Sequence, residues 1–380
     1  MTNSRRLNIL ALEPYFGGSH RQFLLGLRRH SRHAIRIIGL PARKWKWRMR
    51  HAAIEFARRL SRLRRPADLI LASDFLNLAE FAGLLPPEWQ QVPRVVYFHE
   101  NQLTYPIPDE SARDYQPAFT NLTTILAARA AYFNSAYHRD EFFAAMEKLL
   151  RRMPDYRPLA ALAAARRRSG VLPLGCDLRA LLRRPRRRTG PATILWAQRW
   201  EAEKDPETFL RVAARLADEG LDFQLILMGE HFERMPGTEC ATAGLVPPCG
   251  MRVAPLLVRL RQKILHAGYV EGRAGYGRRL RQADIVVSTA RHEFFGAAMV
   301  EAISAGAYPL LPARLSYPEI LPARCHAEHL YRSEGELAAR LRAAIAHLDR
   351  TRQADLGPAM ARFDWSRLIT RYDRAFERSC

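Results

Sequence analysis

The chain alternates short apolar runs with longer amphipathic stretches, and it does so twice. Leu7–Leu12 reads as a strand, and Ser19–Arg29 as a helix with Phe23, Leu24 and Leu27 on one side. Ala34–Leu40 is the next strand and His51–Leu63 the next helix. Asp68–Ala72 and Arg94–Phe98 read as short buried strands, Phe119–Arg129 as helical and Ala130–Phe133 as strand-like. Apolar strands separated by helices build a parallel sheet covered on both faces. The pattern breaks around Gly170–Gly190, where Leu172-Pro173-Leu174-Gly175 and the run Arg183-Arg184-Pro185-Arg186-Arg187-Arg188-Thr189-Gly190 have linker chemistry. It then restarts: strand Thr193–Ala197, helix Pro206–Asp218, strand Phe223–Met228, helix Arg252–Ala267, strand Ile285–Ser288, helix Ala298–Gly306 and strand Tyr308–Leu311.

The expected fold class is therefore α/β, with two Rossmann-like doubly wound domains facing a central cleft. The first spans residues 1–175 and the second 190–360. The segment 361–380, helical over Trp365–Arg378, is expected to pack back across the first domain. A length of 380 residues with 48% hydrophobic residues suits two such cores. Folds of this kind bind ligands outside the carboxyl ends of their strands, so the loops there carry the search for function.

No apolar run reaches the roughly 18 residues of a membrane span. The N-terminus runs straight into a strand-like segment, with no separate apolar leader, so no secretory signal is expected. Cys176, Cys240, Cys249, Cys325 and Cys380 are widely spaced with no C-x-x-C pair, which fits a reducing cytoplasm. Cys240 and Cys249 with His231 match no usual zinc spacing. Basic residues number 60 against 38 acidic, giving a formal net charge of +22. Most of the excess is arginine, which binds phosphate bidentately and stacks on bases, so a polyanionic partner is expected.

Four loops carry chemistry. Glu13-Pro14-Tyr15-Phe16-Gly17-Gly18-Ser19-His20 joins a strand to a helix: Gly17 and Gly18 let backbone approach a ligand, and Ser19 is placed to cap the helix. After a buried strand comes His99-Glu100-Asn101-Gln102, in which His99 is placed to hydrogen-bond a sugar hydroxyl or relay a proton. In the second half, Arg199 and Lys204 follow a strand, where they would neutralise a pyrophosphate. No Asp-x-Asp metal motif stands there, so no metal is expected. Glu293 and Glu301 flank Phe294-Phe295-Gly296-Ala297 at a strand–loop–helix turn whose free N–H groups favour phosphate. Glu301, inside the helix, suits the vicinal hydroxyls of a ribose; Glu293 lies nearer the reacting end of a bound nucleotide sugar. A fifth segment, Arg43-Lys44-Trp45-Lys46-Trp47-Arg48-Met49-Arg50, interleaves cations with tryptophans and suits an anionic backbone with stackable bases.

The Glu-x7-Glu spacing resembles the signature of retaining GT-B glycosyltransferases. More specifically, five stretches resemble the tRNA-queuosine alpha-mannosyltransferase family, also called glycosyltransferase-like domain-containing protein 1. They are Glu13–His20, Leu40–Arg48, Ala72–Leu78, Tyr97–Pro106 and Phe133–Ser135, continued in the second domain by His292–Gly296. This resemblance implies transfer of mannose from GDP-mannose to the cyclopentene diol of queuosine in the anticodon loop of tRNA-Asp. GDP-mannose would be the donor substrate, with no cofactor. His99, Arg199, Lys204 and Glu293 are then the candidate catalytic residues. Donor binding falls to Gly17, Gly18, Arg199, Lys204, Glu293, Phe294, Phe295, Gly296, Ala297 and Glu301. Ser19, His20, Arg43, Lys44, Trp45, Lys46, Trp47, Arg48, Arg50, Glu100, Asn101 and Gln102 are the candidate acceptor and tRNA contacts. The arginine-rich segment Arg166–Arg188 is unusually basic for the family. Two other classes stay open. One is a peripheral-membrane GT-B enzyme acting on a lipid or other small acceptor, whose membrane docking requires exposed bulky apolar residues on the helix from Ser19. The other is a non-catalytic RNA-binding protein on the same scaffold.

Overall fold

The computed structural model describes residues 5–63, 65–107, 109–182, 189–229 and 253–380. It divides into two compact units, one of Met1–Cys176 with Trp365–Cys380 and one of Asp177–Asp364. The expected Arg183–Arg188 run and the Cys240, Cys249 and His231 group lie outside the described residues.

The first unit holds a six-stranded sheet of β1 (Asn8–Phe16), β2 (Ala34–Pro41), β3 (Leu69–Ser73), β4 (Arg94–Phe98), β5 (Ala130–Phe133) and β6 (Ser169–Val171), in the order β2-β1-β3-β4-β5-β6. The second holds β7 (Ala192–Ala197), β8 (Phe223–Met228), β9 (Ile264–Gly268), β10 (Ile285–Val287), β11 (Tyr308–Pro312) and β12 (Leu330–Tyr331), in the order β12-β11-β10-β7-β8-β9. Every strand pairing among the described residues is parallel. Burial explains this: β3 and β7 are buried along their whole length, so both faces must be covered and neighbours must be joined by crossovers. The crossover helices used below are α1 (Gly18–His30), α2 (Trp45–Leu60), α3 (Leu78–Leu84), α4 (Gln116–Ala127), α5 (Ala136–Arg151), α6 (Leu159–Arg167), α7 (Pro206–Asp218), α8 (Ala254–Leu260), α9 (Arg273–Gln282) and α10 (Ala297–Ser304).

The strand order reverses between β1 and β3 in one sheet and between β7 and β10 in the other. Connections leave such a point toward opposite faces and open a crevice at the carboxyl ends. The loops singled out above follow β1, β7 and β10, so they stand at these two crevices; the His99 loop follows β4, the neighbour of β3.

Local chemistry sets the helix starts. Asp205 caps α7 by accepting from Thr208 N at 3.2 Å, and Pro206 occupies the first helical position. The C-terminal helix Trp365–Ser379 buries Trp365, Leu368, Tyr372, Ala375 and Phe376, a spacing that forms one apolar face. That face packs on the first unit. The Tyr372 hydroxyl reaches Pro173 O at 2.9 Å, and Ser31 Oγ donates to Asp373 Oδ1 at 2.6 Å. Gly26 of α1 makes room for the indole of Trp365: a Cβ there would stand 2.1 Å from the ring nitrogen.

Four local expectations change. Helix α2 begins at Trp45, so Trp45-Lys46-Trp47 is helical rather than a lead-in, with Lys44 before it at φ 52°; Met49, Ala52, Ala53 and Phe56 continue one buried face back into it. Ser19 caps nothing. The chain turns at Gly17, the residue before the helix, which leaves Ser19 in the first turn. The expected helix Arg252–Ala267 is helical only over Ala254–Leu260. A short 3-10 turn follows, and Ile264–Gly268 is the edge strand β9, whose partial exposure hides its period. The expected linker begins as β6, the last strand of the first sheet.

Candidate active site

In the second unit a short 3-10 turn, Ala202–Lys204, follows β7 and folds Lys204 inward. Its ammonium donates to His292 O at 2.8 Å and to Glu293 Oε2 at 3.2 Å. The other Glu293 oxygen accepts from Phe294 N at 3.1 Å and Phe295 N at 3.2 Å. Burial alone would push the Glu293 carboxyl up, but Lys204 and the Phe295 N–H outweigh it and hold it below the usual range. His292 is buried beside Lys204 and is driven down to about 4, so it is uncharged at neutral pH. Arg199, half-exposed, pairs with Glu201 at 3.0 Å and stands 3.9 Å from Glu203. Burial and a hydrogen bond with Glu203 push the Glu201 carboxyl well up, against the pull of Arg199.

Gly296 opens α10 with φ 88°, a left-handed conformation that a side chain would strain. Ala297 is the first helical residue, and no acidic residue occupies the first turn. Met299 N and Val300 N donate to Gly296 O at 3.0 and 3.2 Å, and the positive end of the helix favours an anion. The Phe294 and Phe295 rings turn away into packing, against His292 and Phe363. What the two residues offer is backbone. One turn on, Glu301 accepts from Arg273 Nη1 at 2.7 Å and from the Tyr276 hydroxyl at 2.9 Å. Both partners lie on α9, and neither was anticipated.

In the first unit the crevice is lined by a buried polar cluster. Glu13 of β1 accepts from Tyr15 N at 2.8 Å, from Ser73 Oγ at 3.0 Å and from His20 Nδ1 at 3.1 Å. The His20 ring stacks on His99 with centroids 4.0 Å apart. Asp74 accepts from His99 N at 3.0 Å, and Asn134 Nδ2 donates to His99 O at 2.8 Å, so the His99 backbone is clamped on both sides. Burial pushes His20 down, but Glu13 overcomes it and holds the ring up at about 9. Burial and the neighbouring His20 and His138 drive His99 well below its ordinary value. Burial pushes Asp74 up to about 8, and its Oδ2 has no hydrogen-bond partner among the described residues. Glu13, His20 and His99 offer ligand atoms within 4.8 Å of one another, a spacing that could hold a metal ion. Their present arrangement is instead an ion pair in which the protein already fills both oxygens of Glu13.

The remaining expected acceptor residues separate into two groups. Arg43, Lys44, Lys46, Trp47 and Arg50 are exposed, Trp47 at 61%. Lys46 lies 3.4 Å from Asp114. Arg48 turns inward: its Nε donates to Pro41 O at 2.9 Å and Nη1 meets His51 Nε2 at 2.8 Å. Trp45, half-buried, stacks on Phe75. Asn101 is fully buried and accepts from Thr104 N at 3.1 Å, a loop-bracing contact, while Gln102 Nε2 donates to Glu100 at 2.7 Å. Ser19 is exposed on the first turn of α1. Gly18, at φ 48°, lies just before it. Phe23, Leu24 and Leu27 are buried, so α1 offers no bulky apolar face for a lipid surface. No described helix is long and apolar enough to cross a membrane.

Residues 8–176 match the family described as tRNA-queuosine alpha-mannosyltransferase N-terminal. The chain is also 32% identical over 344 residues to the tRNA-queuosine alpha-mannosyltransferase of Drosophila melanogaster, across 88% of this chain and 86% of that one. The chain belongs to the tRNA-queuosine alpha-mannosyltransferase family. A more distant relative of this family member is a GDP-mannose-dependent alpha-(1-6)-phosphatidylinositol dimannoside mannosyltransferase of Mycobacterium tuberculosis. It is 26% identical over 48% of this chain and 42% of its own length. Among solved structures, the sucrose-phosphate synthase of Thermosynechococcus elongatus superposes with a TM-score of 0.67 at 15% identity, covering 98% of this chain and 99% of that one. The fold of this tRNA-queuosine alpha-mannosyltransferase family member is GT-B, two Rossmann-like domains each built on a parallel sheet.

The family's segments include two further residues of this cluster. Glu13 and Asp74 are acids at the ends of otherwise apolar strands, which is itself a signal. Arg273 and Tyr276 carried none, because α9 has few apolar residues to mark it as a helix.

Proposed function

We propose that this protein transfers mannose from GDP-mannose to the cyclopentene diol of queuosine in the anticodon loop of tRNA-Asp, with retention at the sugar carbon, in the cytoplasm. The observation that carries this reading is the 32% identity to the fly enzyme across 88% of the chain. An unpaired anticodon loop presents a modified base at little cost in unstacking.

In this reading the second unit holds the donor. Glu301 accepts the ribose hydroxyls, the start of α10 and Arg199 face the diphosphate, and Lys204 with Glu293 stands at the reacting end. The bond from the sugar carbon to the diphosphate oxygen breaks while the acceptor oxygen bonds on the same face. The acceptor's proton passes to the departing phosphate oxygen. Negative charge grows on that diphosphate, and positioned cations stabilise it. In the first unit His99, uncharged and fixed, orients a sugar hydroxyl. The exposed Arg43, Lys44, Lys46 and Arg50 hold RNA phosphates, with Trp47 free to stack on a loop base.

Mass spectrometry of tRNA nucleosides from cells with and without the gene tests the acceptor: mannosyl-queuosine should vanish with the gene, and its persistence refutes the reading. Titration of the purified protein with GDP in the presence of a chelator tests the donor. Undiminished binding is expected.

A further inference from the structure

Only one imidazole, His99, has a role in the reaction above, yet the fold lays a second one flat against it. His20 and His99 stack at 4.0 Å with their planes 29° apart, and both are buried. Two imidazoles in such contact cannot both carry charge cheaply, because each cation opposes the other in a site with little water. The surroundings decide which one does. His20, from α1, faces the carboxylate of Glu13 on β1, hydrogen-bonded at 3.1 Å, and is also within the field of Asp74 after β3 and Glu100 after β4. His99 faces His20 from α1 and His138 from α5, with the Phe23 ring edge-on at 4.9 Å and Tyr97 at 4.8 Å, and the Glu13 carboxylate within 4.8 Å of its ring is already hydrogen-bonded to His20. Its one acidic neighbour in hydrogen-bond contact, Asp74, is spent on the His99 backbone N–H.

We propose that Glu13 and His20 are positioning residues whose ion pair lays a fixed imidazolium against His99, keeping the His99 ring uncharged and in one plane as the hydrogen-bonding group for a substrate hydroxyl. This rests on the reading of His99 as a sugar-contacting residue. Glu13 is itself fixed by Tyr15 N and Ser73 Oγ, so the pair is rigid from strand to ring. The Asp74 and Asn134 clamp fixes the His99 backbone, and the His20 face fixes its ring. The sign follows from the pair. His20 carries its proton below about 9 and loses it above, so the ion-pair brace that holds the His99 ring in place persists through neutral pH and is lost in alkali, where His99 is uncharged in any case.

Nitrogen-15 NMR of histidine-labelled full-length protein reads this without substrate. At pH 7.5 the His20 ring should show two protonated nitrogens and lose one near pH 9, and His99 should show one protonated nitrogen throughout. In Glu13→Gln, which keeps the size and an acceptor for Tyr15 N and Ser73, His20 should be neutral at pH 7.5. The alkaline fall of kcat should then move from about pH 9 to below 7, with a loss of at least about tenfold at pH 7.5 and GDP affinity held within about twofold. His20→Gln should let His99 take up a proton at higher pH than in the wild type and so strengthen the acid fall of kcat. A neutral His20 in the wild type at pH 7.5 overturns the proposal, as does a Glu13→Gln enzyme with the wild-type pH profile. Should no transfer to tRNA be seen in the wild type, the functional reading fails while the NMR titration still decides the state of the two rings.

Discussion

Replacing Lys204 by methionine separates the structural part of the proposed donor site from its chemical part. Methionine keeps most of the apolar stem but deletes the ammonium that serves His292 O and Glu293 Oε2. Glu293 is left with only the Phe294 and Phe295 N–H groups to balance its charge. Breaking a fully buried pair from one side costs about 3–5 kcal/mol. The Glu293 side chain keeps 23% exposure, and that solvent lowers the cost to about 2–3 kcal/mol. For a unit the size of Asp177–Asp364 this is a fall in melting temperature of roughly 4–12 °C. The double variant Lys204→Met/Glu293→Gln removes both charges and should recover most of that loss. Transfer should behave differently: it should fall by about 10²–10³ in the single variant and stay low in the double, because the growing charge on the leaving diphosphate has lost its cation. Single-turnover transfer, measured well below the melting point and beside a melting curve, gives both readings. Near-normal transfer in Lys204→Met would remove Lys204 from the donor site. A single variant that melts like the wild type would refute the argument that the pair stabilises the unit.

Glu301→Gln should weaken GDP binding at least about tenfold in a calorimetric titration, since an amide cannot accept both ribose hydroxyls as a carboxylate does; unchanged affinity places the ribose elsewhere. Reversing the same bracket, Arg273→Ala should leave Glu301 in place, and its effect on GDP affinity reports whether that guanidinium touches the nucleotide. Binding of tRNA should weaken steeply with salt, and the Arg43→Ala/Lys44→Ala pair should cut the slope of log affinity against log salt by about 1.4–1.8 in filter binding. Arg48→Ala is the control: its guanidinium serves Pro41 O and His51, so the loss should appear in melting temperature instead. Trp47→Ala should weaken tRNA binding about five- to 150-fold with melting temperature and GDP affinity unchanged, whereas Trp45→Ala, which unstacks Phe75, should also lower stability.

The sequence by itself determined the class of fold and the loops where chemistry sits. Apolar runs such as Ile194–Ala197 and Ile285–Val287 can only be buried parallel strands, and the residues just after them face a crevice whatever the tertiary details. Glu301 inside a helix and Glu293 before it were legible for the same reason: both are set by position along the chain. Tertiary structure decided which side chains meet. The edge strand β9 and helix α9 lack a clean apolar period because they are only partly covered, so Arg273 and Tyr276 could not be placed beside Glu301. Arg48 reads like its cationic neighbours, yet one face of α2 must be buried and Arg48 lies on it. The Glu13–His20–His99–Asp74 cluster draws on four segments that the parallel register of β1, β3 and β4 brings side by side. Charge state follows from that meeting, because burial and the nearest opposite charge set it, and neither is a property of local sequence.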